Sequence, residues 1–348
     1  MRRLVFITQQ VDPEHPALAA TVPKVRALAE RVDEVVVLAD GAVPGVLPPN
    51  CRVRTFASGA KVGRGARFGV ALAAELARVR PLAVLAHMCP IYAVLAAPLA
   101  RPLRVPVLLW FTHWHASPTL KAAARVSNTI LSVDRRSVPL PNARVRAIGH
   151  GIDLHQFTCE RNGADAEGLR LLALGRYSPA KGLDAVLRAV RLAVDNGLDV
   201  HLQAHGPTLS TLERRHRDEL ERLVHALRLE ERATLGEPVR RERVPELFGT
   251  SDALVNNMQA GAPDKVVYEA AASCLPVLAS NPVFDRFLPE ELRFERDRPA
   301  SLANRLAAFA ARPPEERAAV GRTLRARVAR EHSVEHWADS VIAAAEER

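Results

Sequence analysis

The chain has 348 residues, 48% of them apolar and 25% charged, too many for one ordinary core and comfortable for two domains of about 150–200 residues. Its formal net charge of +9 is unevenly placed: residues 1–158 hold 20 Lys plus Arg against 9 Asp plus Glu, net +11, and the remainder 28 against 30, net −2. The four cysteines, Cys51, Cys89, Cys159 and Cys274, are scattered without a CxxC pair, which excludes a disulfide framework and predicts reduced thiols.

In chain order, "MRRLVFITQQ" alternates like a first core strand and reaches polar residues at once, so no secretory leader is expected and the predicted location is cytoplasmic. Helical "LAATVPKVRALAERV" follows, then strands "EVVVLA" and "CRVRTFA" and helical "ARFGVALAAELARV". Residues 81–100 carry no charge for twenty positions. Pro81, Pro90 and Pro98 interrupt them, so they divide into a strand near 83–87 and a packed helix near 91–101 rather than a membrane span. Strands "VPVLLWF" and "TILSV" complete the first series.

Residues 148–167 are polar, Gly-rich and without periodicity, which places a hinge there. A second series begins at 169 with "LRLLALG", "DVHLQAHG", "ATLGEP", "ALVNN" and "PVLAS", each leading into helix. Alternation of this kind means crossover connections and parallel sheets covered on both faces. The last fifty residues are nearly all helix-forming and are expected to close over the second domain and return to the first. The predicted domains are 1–155, 156–330 and a returning helix at 331–348: an α/β chain of two facing Rossmann-like domains around a cleft.

Several chemistries are excluded by spacing. A nicotinamide fold needs GxGxxG after its first strand; here "TQQVDPEHPAL" has no glycine, and "GRGARFG" at 63–69 is one residue too long. The P-loop, the GxSxG elbow and a metal-holding DxD pair are absent. His332 and His336 stand four apart without a third ligand, which predicts a solvated helix face and no metal. "RRHRDELERL" interleaves both charges and has no stacking aromatics, so nucleic acid is not an expected partner. The +11 first domain suits an anionic partner, such as a membrane surface or a phosphorylated acceptor. It equally suits an arginine-rich composition, since only five of the 48 cations are lysines.

Two turns carry the functional signal. In "LGRYSPAKGLD", Gly175 ends a strand, "SP" favours a turn, and Gly182 lets the backbone pass close to a ligand held by Arg176 and Lys181. Two fixed cations at a strand's carboxyl edge beside a helix N-terminus can neutralise a diphosphate. In "NNMQAGAPDKVVYEAAASCLPVLAS", Pro263 and Asp264 are expected to start a helix as N1 proline and acidic cap. Its amides at Asp264, Lys265 and Val266 form a second anion site, and Glu269 lies one turn further, suited to ribose hydroxyls.

These two turns together resemble the donor half of the family 4 retaining glycosyltransferases, which have the GT-B fold. "IGHGIDLHQF" and "HMCPIYAVLAAPLARPLRVPVLLWFTHW" resemble the first half of a bacterial branch, so the likeness spans nearly the whole chain. The resemblance implies a metal-independent retaining enzyme, without cofactor, that moves a sugar from a nucleoside-diphosphate donor. Arg176 and Lys181 would grip the diphosphate, Glu269 the ribose, and His113 would stand near the donor sugar, with His115 two residues away. Gly206 and Val239 would border the base. There are two departures from the family: Gly261 stands where a second glutamate contacts the transferred sugar, leaving Asp264 or Lys265 for that contact, and Ala19 and Ala20 stand in the loop after the first strand, which usually bears glycine. A glycan, a lipid-linked molecule and an anionic small molecule all remain open as acceptor, with peripheral anionic membrane contact through the first domain. A non-catalytic nucleotide-sugar binding protein and a GT-B sugar-nucleotide epimerase are the alternatives.

Overall fold

Strand β1 (Arg3–Val11) is apolar on both faces, and Leu4, Val5, Phe6 and Ile7 are wholly buried, as a strand sandwiched between helices must be. In the computed structural model, which describes residues 1–15, 18–140, 143–160 and 168–347, β1 is an interior strand of a seven-stranded parallel sheet. The chain continues through α1 (Thr21–Ala29), β2 (Glu34–Ala42), β3 (Cys51–Thr55), α2 (Lys61–Arg78), β4 (Ala83–His87), α3 (Pro90–Ala100), β5 (Val107–Trp110), α4 (Pro118–Val126), β6 (Thr129–Ser132) and β7 (Val145–Ala147). Sheet order is β3-β2-β1-β4-β5-β6-β7. Val5 pairs with Val36 on one side and Val84 on the other, so the strand order reverses beside β1, where open α/β sheets bind ligands.

A second parallel sheet of order β10-β9-β8-β11-β12 is built from β8 (Leu169–Leu174), α5 (Leu183–Asp195), β9 (Val200–His205), α6 (Thr211–Ala226), β10 (Ala233–Gly236), α7 (Val244–Gly249), β11 (Ala253–Asn256), α8 (Lys265–Ala272) and β12 (Val277–Ala279). Three helices close the chain: α9 (Pro299–Ala310), α10 (Pro314–Glu331) and α11 (Val334–Glu346). The contacts divide the chain into one unit of Met1–Asp153 with Glu331–Arg348 and another of Leu154–Arg330. Within the first, α11 packs on α1, and Arg31 Nε donates to Asp339 at 2.6 Å. Residues 161–167 of the expected hinge, and Pro16 and Ala17 of the loop after β1, lie outside the described residues.

The uncharged stretch 81–100 is the buried strand β4 followed by α3, and no described helix is long and apolar enough to cross a membrane. "GRGARFG" falls inside α2, so those glycines belong to a helix and not to a phosphate loop.

Two expectations are corrected. Cys159 and Cys274 are joined in a disulfide, with Cα atoms 5.0 Å apart, while Cys51 and Cys89 are free. The pair is 115 residues apart in sequence and meets because the segment at Phe157 runs past the C-terminal end of α8. There Arg325 donates to the carbonyls of both Phe157 and Ala272. His332 is not on a solvated face. Its carbonyl accepts from the N–H groups of Gly151 and Ile152, at 3.0 and 2.8 Å, which draws the turn between α10 and α11 inward. Burial, and then neighbouring His336, push its imidazole down to about 3.

Candidate functional site

The end of β8 runs into the turn that carries Arg176 and Lys181. Gly175 has φ +135°, and a Cβ there would meet Lys181 Nζ at 2.6 Å, so only glycine leaves room for the lysine to fold back over the strand end. Tyr177 is buried, and its hydroxyl lies 2.9 and 2.7 Å from the carbonyls of Ala204 and Gly236. That anchors the turn across β9 and β10; burial raises the phenol to about 12. After one 3-10 turn, Pro179–Lys181, the chain enters α5 through Gly182 at φ +55°. The absent Cβ makes way for the Asn257 amide, which donates to the Gly182 carbonyl at 2.9 Å.

β11 lies beside β8, so its carboxyl end delivers Asn256 and Asn257 to the same edge. A hollow in the second unit is lined there by Gly175, Arg176, Lys181, His205, Asn256 and Asn257. This is the reversal point of the second sheet, between β8 and β11.

Lys181 Nζ is ion-paired with Asp264, whose Oδ2 also accepts from Asn256 Nδ2 at 2.9 Å. Asp264 is the N-cap of α8 but makes no side-chain capping bond. The expected acidic cap, with Pro263 at N1, is therefore corrected: the helix opens at Lys265, and the carboxylate has gone to the lysine across the turn. Arg176 is more than half exposed and meets Glu213 Oε1 at 3.1 Å. Glu213 is itself held by Leu209 N–H at 2.6 Å.

Glu269, one turn into α8, is 5% exposed. Its Oε1 receives Lys265 Nζ at 2.8 Å and Arg241 Nη2 at 2.9 Å. Burial alone would raise this carboxyl, but the Lys265 and Arg241 charges hold it below the ordinary carboxylate range. Arg241 also donates to Gln156 Oε1 at 3.1 Å. Of the remaining expected donor residues, Val266 is half-buried on the first turn of α8, Gly261 is at φ +127° in the loop before it, Gly206 packs against the Gly175 carbonyl, and Val239 is half-buried after β10.

His113 belongs to the first unit, in the loop after β5, and is exposed. His115 N–H donates to its Nδ1 at 3.0 Å, which places the neutral ring's proton on Nε2. Partial burial, and then His115, keep its pKa below the usual histidine value. Among the described residues no group of three or more His, Cys, Asp or Glu is placed to hold a metal. Arg241, Asn256, Asn257 and Glu213 were not legible as site residues. Arg241 and Glu213 reach the site through helix placement with no motif around them, whereas Asn256 and Asn257 open the second turn but have no signal of their own within it.

Residues 157–292 match the family described as glycosyl transferases group 1, a span that holds every second-unit residue of this site except Gln156. No curated protein sequence matches the chain. Among solved structures it is similar to sucrose-phosphate synthase (tll1590) from Thermosynechococcus elongatus, at 18% identity over 98% of this chain and 97% of the other, TM-score 0.75. Anabaena Alr3699/HepE in complex with UDP and glucose is similar at 15% identity over 99% of each chain, TM-score 0.76. An α,α-trehalose-phosphate synthase (UDP-forming) from Burkholderia xenovorans, in complex with glucose-6-phosphate, is similar at 13% identity over 99% of this chain and 100% of the other, TM-score 0.73. The chain has the GT-B fold, and the match to the glycosyl transferases group 1 family falls within its second unit.

Proposed function

We propose that this protein is a retaining, metal-independent glycosyltransferase that takes its sugar from a nucleoside diphosphate, with uridine as the base to test first. The observation that carries the reading is the cation pair Arg176 and Lys181 at the β8–β11 reversal point, beside the uncapped amides of α8. Uridine is suggested by the Anabaena neighbour, which is described in complex with UDP and with UDP-glucose.

As the glycosidic bond breaks, the diphosphate gains negative charge. Lys181, Arg176 and the amides of Lys265 and Val266 are the groups that would stabilise it, and only what grows stronger in the transition state accelerates the step. Glu269, fixed by Arg241 and Lys265, would take the ribose hydroxyls through its remaining lone pairs. The acidic side chains at this site, Glu213, Asp264 and Glu269, are already ion-paired, which supports same-face attack by the acceptor over a carboxylate nucleophile. His113, in the loop after β5, would stand near the donor sugar.

A thermal-shift screen of nucleoside diphosphates and their sugars tests the donor half, since a ligand at a hundred times its Kd adds about 2.7 kcal/mol. Stabilisation by UDP or another nucleoside diphosphate is expected; none by any of them sinks the reading. Incubation of the stabilising donor with protein, followed by proton spectra of the sugar released or transferred, then tests catalysis and the retained anomer. Binding without turnover would leave a nucleotide-sugar binding protein instead.

A further inference from the structure

Residues 76–152 contain ten Lys plus Arg and one acidic residue, Asp134, so this stretch alone has a net of +9, equal to that of the whole chain. Elsewhere in the first unit, several cations are matched by carboxylates: Arg3 with Glu34 and Glu75, Arg31 with Asp339, Arg64 with Asp40. An arginine-rich composition would spread its cations over the unit. Here the fold collects them.

Arg101, in the turn after α3, Lys121 and Arg125, four apart on α4, and Arg144, just before β7, line one hollow together with Ile130 and Leu140. All four cations are exposed, and none has an ion-pair partner among the described residues. An adjoining hollow shares Leu140 and adds Arg135 and Arg136; of these Arg136 meets Asp134 at 3.7 Å. Like charges gathered without carboxylates repel one another, and an anion relieves that repulsion.

The surroundings choose among anions. No aromatic side chain lines either hollow, so the stacking platform of a nucleic-acid groove is missing. Alkyl groups lie beside the cations instead, and Leu103, between Arg101 and Arg104, is 45% exposed. Cations for phosphate with apolar side chains for glycerol and acyl carbons is the pattern of a lipid interface. We propose that this face of the first unit docks on an anionic membrane surface, with Arg101, Lys121, Arg125 and Arg144 receiving lipid phosphate.

Co-sedimentation of the full chain with phosphatidylcholine vesicles, with and without phosphatidylglycerol, tests this with no donor present, so its failure leaves the donor reading untouched. Binding is expected only to the anionic vesicles. Each cation near the surface contributes about fivefold, so the triple variant Arg101→Ala, Lys121→Ala, Arg125→Ala should bind roughly a hundredfold less. Its circular dichroism should match the wild type. If the triple variant does not fold, Arg101→Ala alone should still cost about fivefold. Equal binding to neutral vesicles, no binding to either kind, or an unchanged folded variant overturns the proposal. So does displacement from anionic vesicles by single-stranded RNA at a lower concentration than by free lipid headgroup.

Discussion

Lys181→Ala is the sharpest perturbation of the donor site, because Lys181 has two partners to lose. Its side chain is 21% exposed and that of Asp264 19%, so both are sheltered without being dry. Removing the ammonium deletes one charge-assisted contact to a phosphate oxygen, about 1.5–3 kcal/mol. It also leaves the Asp264 carboxylate with the Asn256 amide, at 2.9 Å, as its remaining partner beside the incoming diphosphate. Two charges about 6 Å apart at an effective dielectric of roughly 40 repel by about 1–2 kcal/mol. UDP affinity should therefore fall by two to three orders of magnitude, roughly 3–4 kcal/mol. The second contribution is removable: in Lys181→Ala/Asp264→Asn the repulsion is gone, and affinity should recover roughly tenfold over Lys181→Ala alone. Titration calorimetry with UDP at fixed ionic strength reads both. Wild-type affinity in Lys181→Ala would refute the clamp, and a double variant no tighter than the single one would refute the coupling to Asp264.

Arg241→Ala removes one of the two cations on Glu269 and should weaken UDP about tenfold, the value of one charge-assisted hydrogen bond, while leaving pyrophosphate binding unchanged. A parallel loss for both ligands would show that Arg241 does not act through the ribose. Reduction of Cys159–Cys274 opens a loop whose ends are 115 residues apart, worth about 4–5 kcal/mol of chain entropy. Calorimetry should show the second unit melting roughly 10 °C lower with reductant, and no reductant effect in Cys159→Ser. At the far edge of the first sheet, the Arg52 hydrogen bonds, against the raising effect of burial and with further bonds from Arg54 and Arg3, pull the Glu75 carboxyl from 4.5 to about 2. The stability this provides is complete above the unfolded pKa and is lost as pH falls through 4.5 toward about 2, on the order of 3 kcal/mol. Urea melts across that window should fall more steeply for the wild type than for Glu75→Gln; equal slopes would exclude Glu75 as the source.

The architecture was readable because parallel strands covered on both faces must be apolar runs of four to eight residues, and these alternate with helical spacing along the whole chain. Strand β7 escaped notice: three residues, Val145–Ala147, with an arginine in the middle, give no run to detect. The start of α2 at Lys61 was hidden by Gly63 and Gly65, which local propensity places outside a helix. Of the site, the two turns were visible because glycine and the cations sit at fixed offsets within each. What could not be read was how the turns answer one another. Asp264 looks like a helix cap from its position, yet strand order sets it opposite Lys181, and an ion pair is worth more to it than an amide hydrogen bond. The same holds for Arg241 and Glu269, 28 residues apart, and for Cys159 and Cys274.

The two electropositive regions should answer salt in opposite ways. At the donor site Arg176, Lys181, Arg241 and Lys265 face Glu213, Asp264 and Glu269, so the cations are already neutralised from within. A diphosphate arriving there exchanges one anionic partner for another and displaces few solution ions. On the first unit, Arg101, Lys121, Arg125 and Arg144 are screened only by mobile ions, which leave when a lipid phosphate binds. Surface interactions of that kind weaken steeply as the Debye length shrinks, from roughly 30 Å at 0.01 M to about 8 Å at physiological ionic strength. Over that range UDP affinity should change by less than about threefold and binding to anionic vesicles should drop more than tenfold. The same buffers and the same protein serve both measurements. A steep salt dependence for UDP would mean that the internal carboxylates let go of their cations in solution, and that the ion pairs at the β8 turn do not set the resting state of the site.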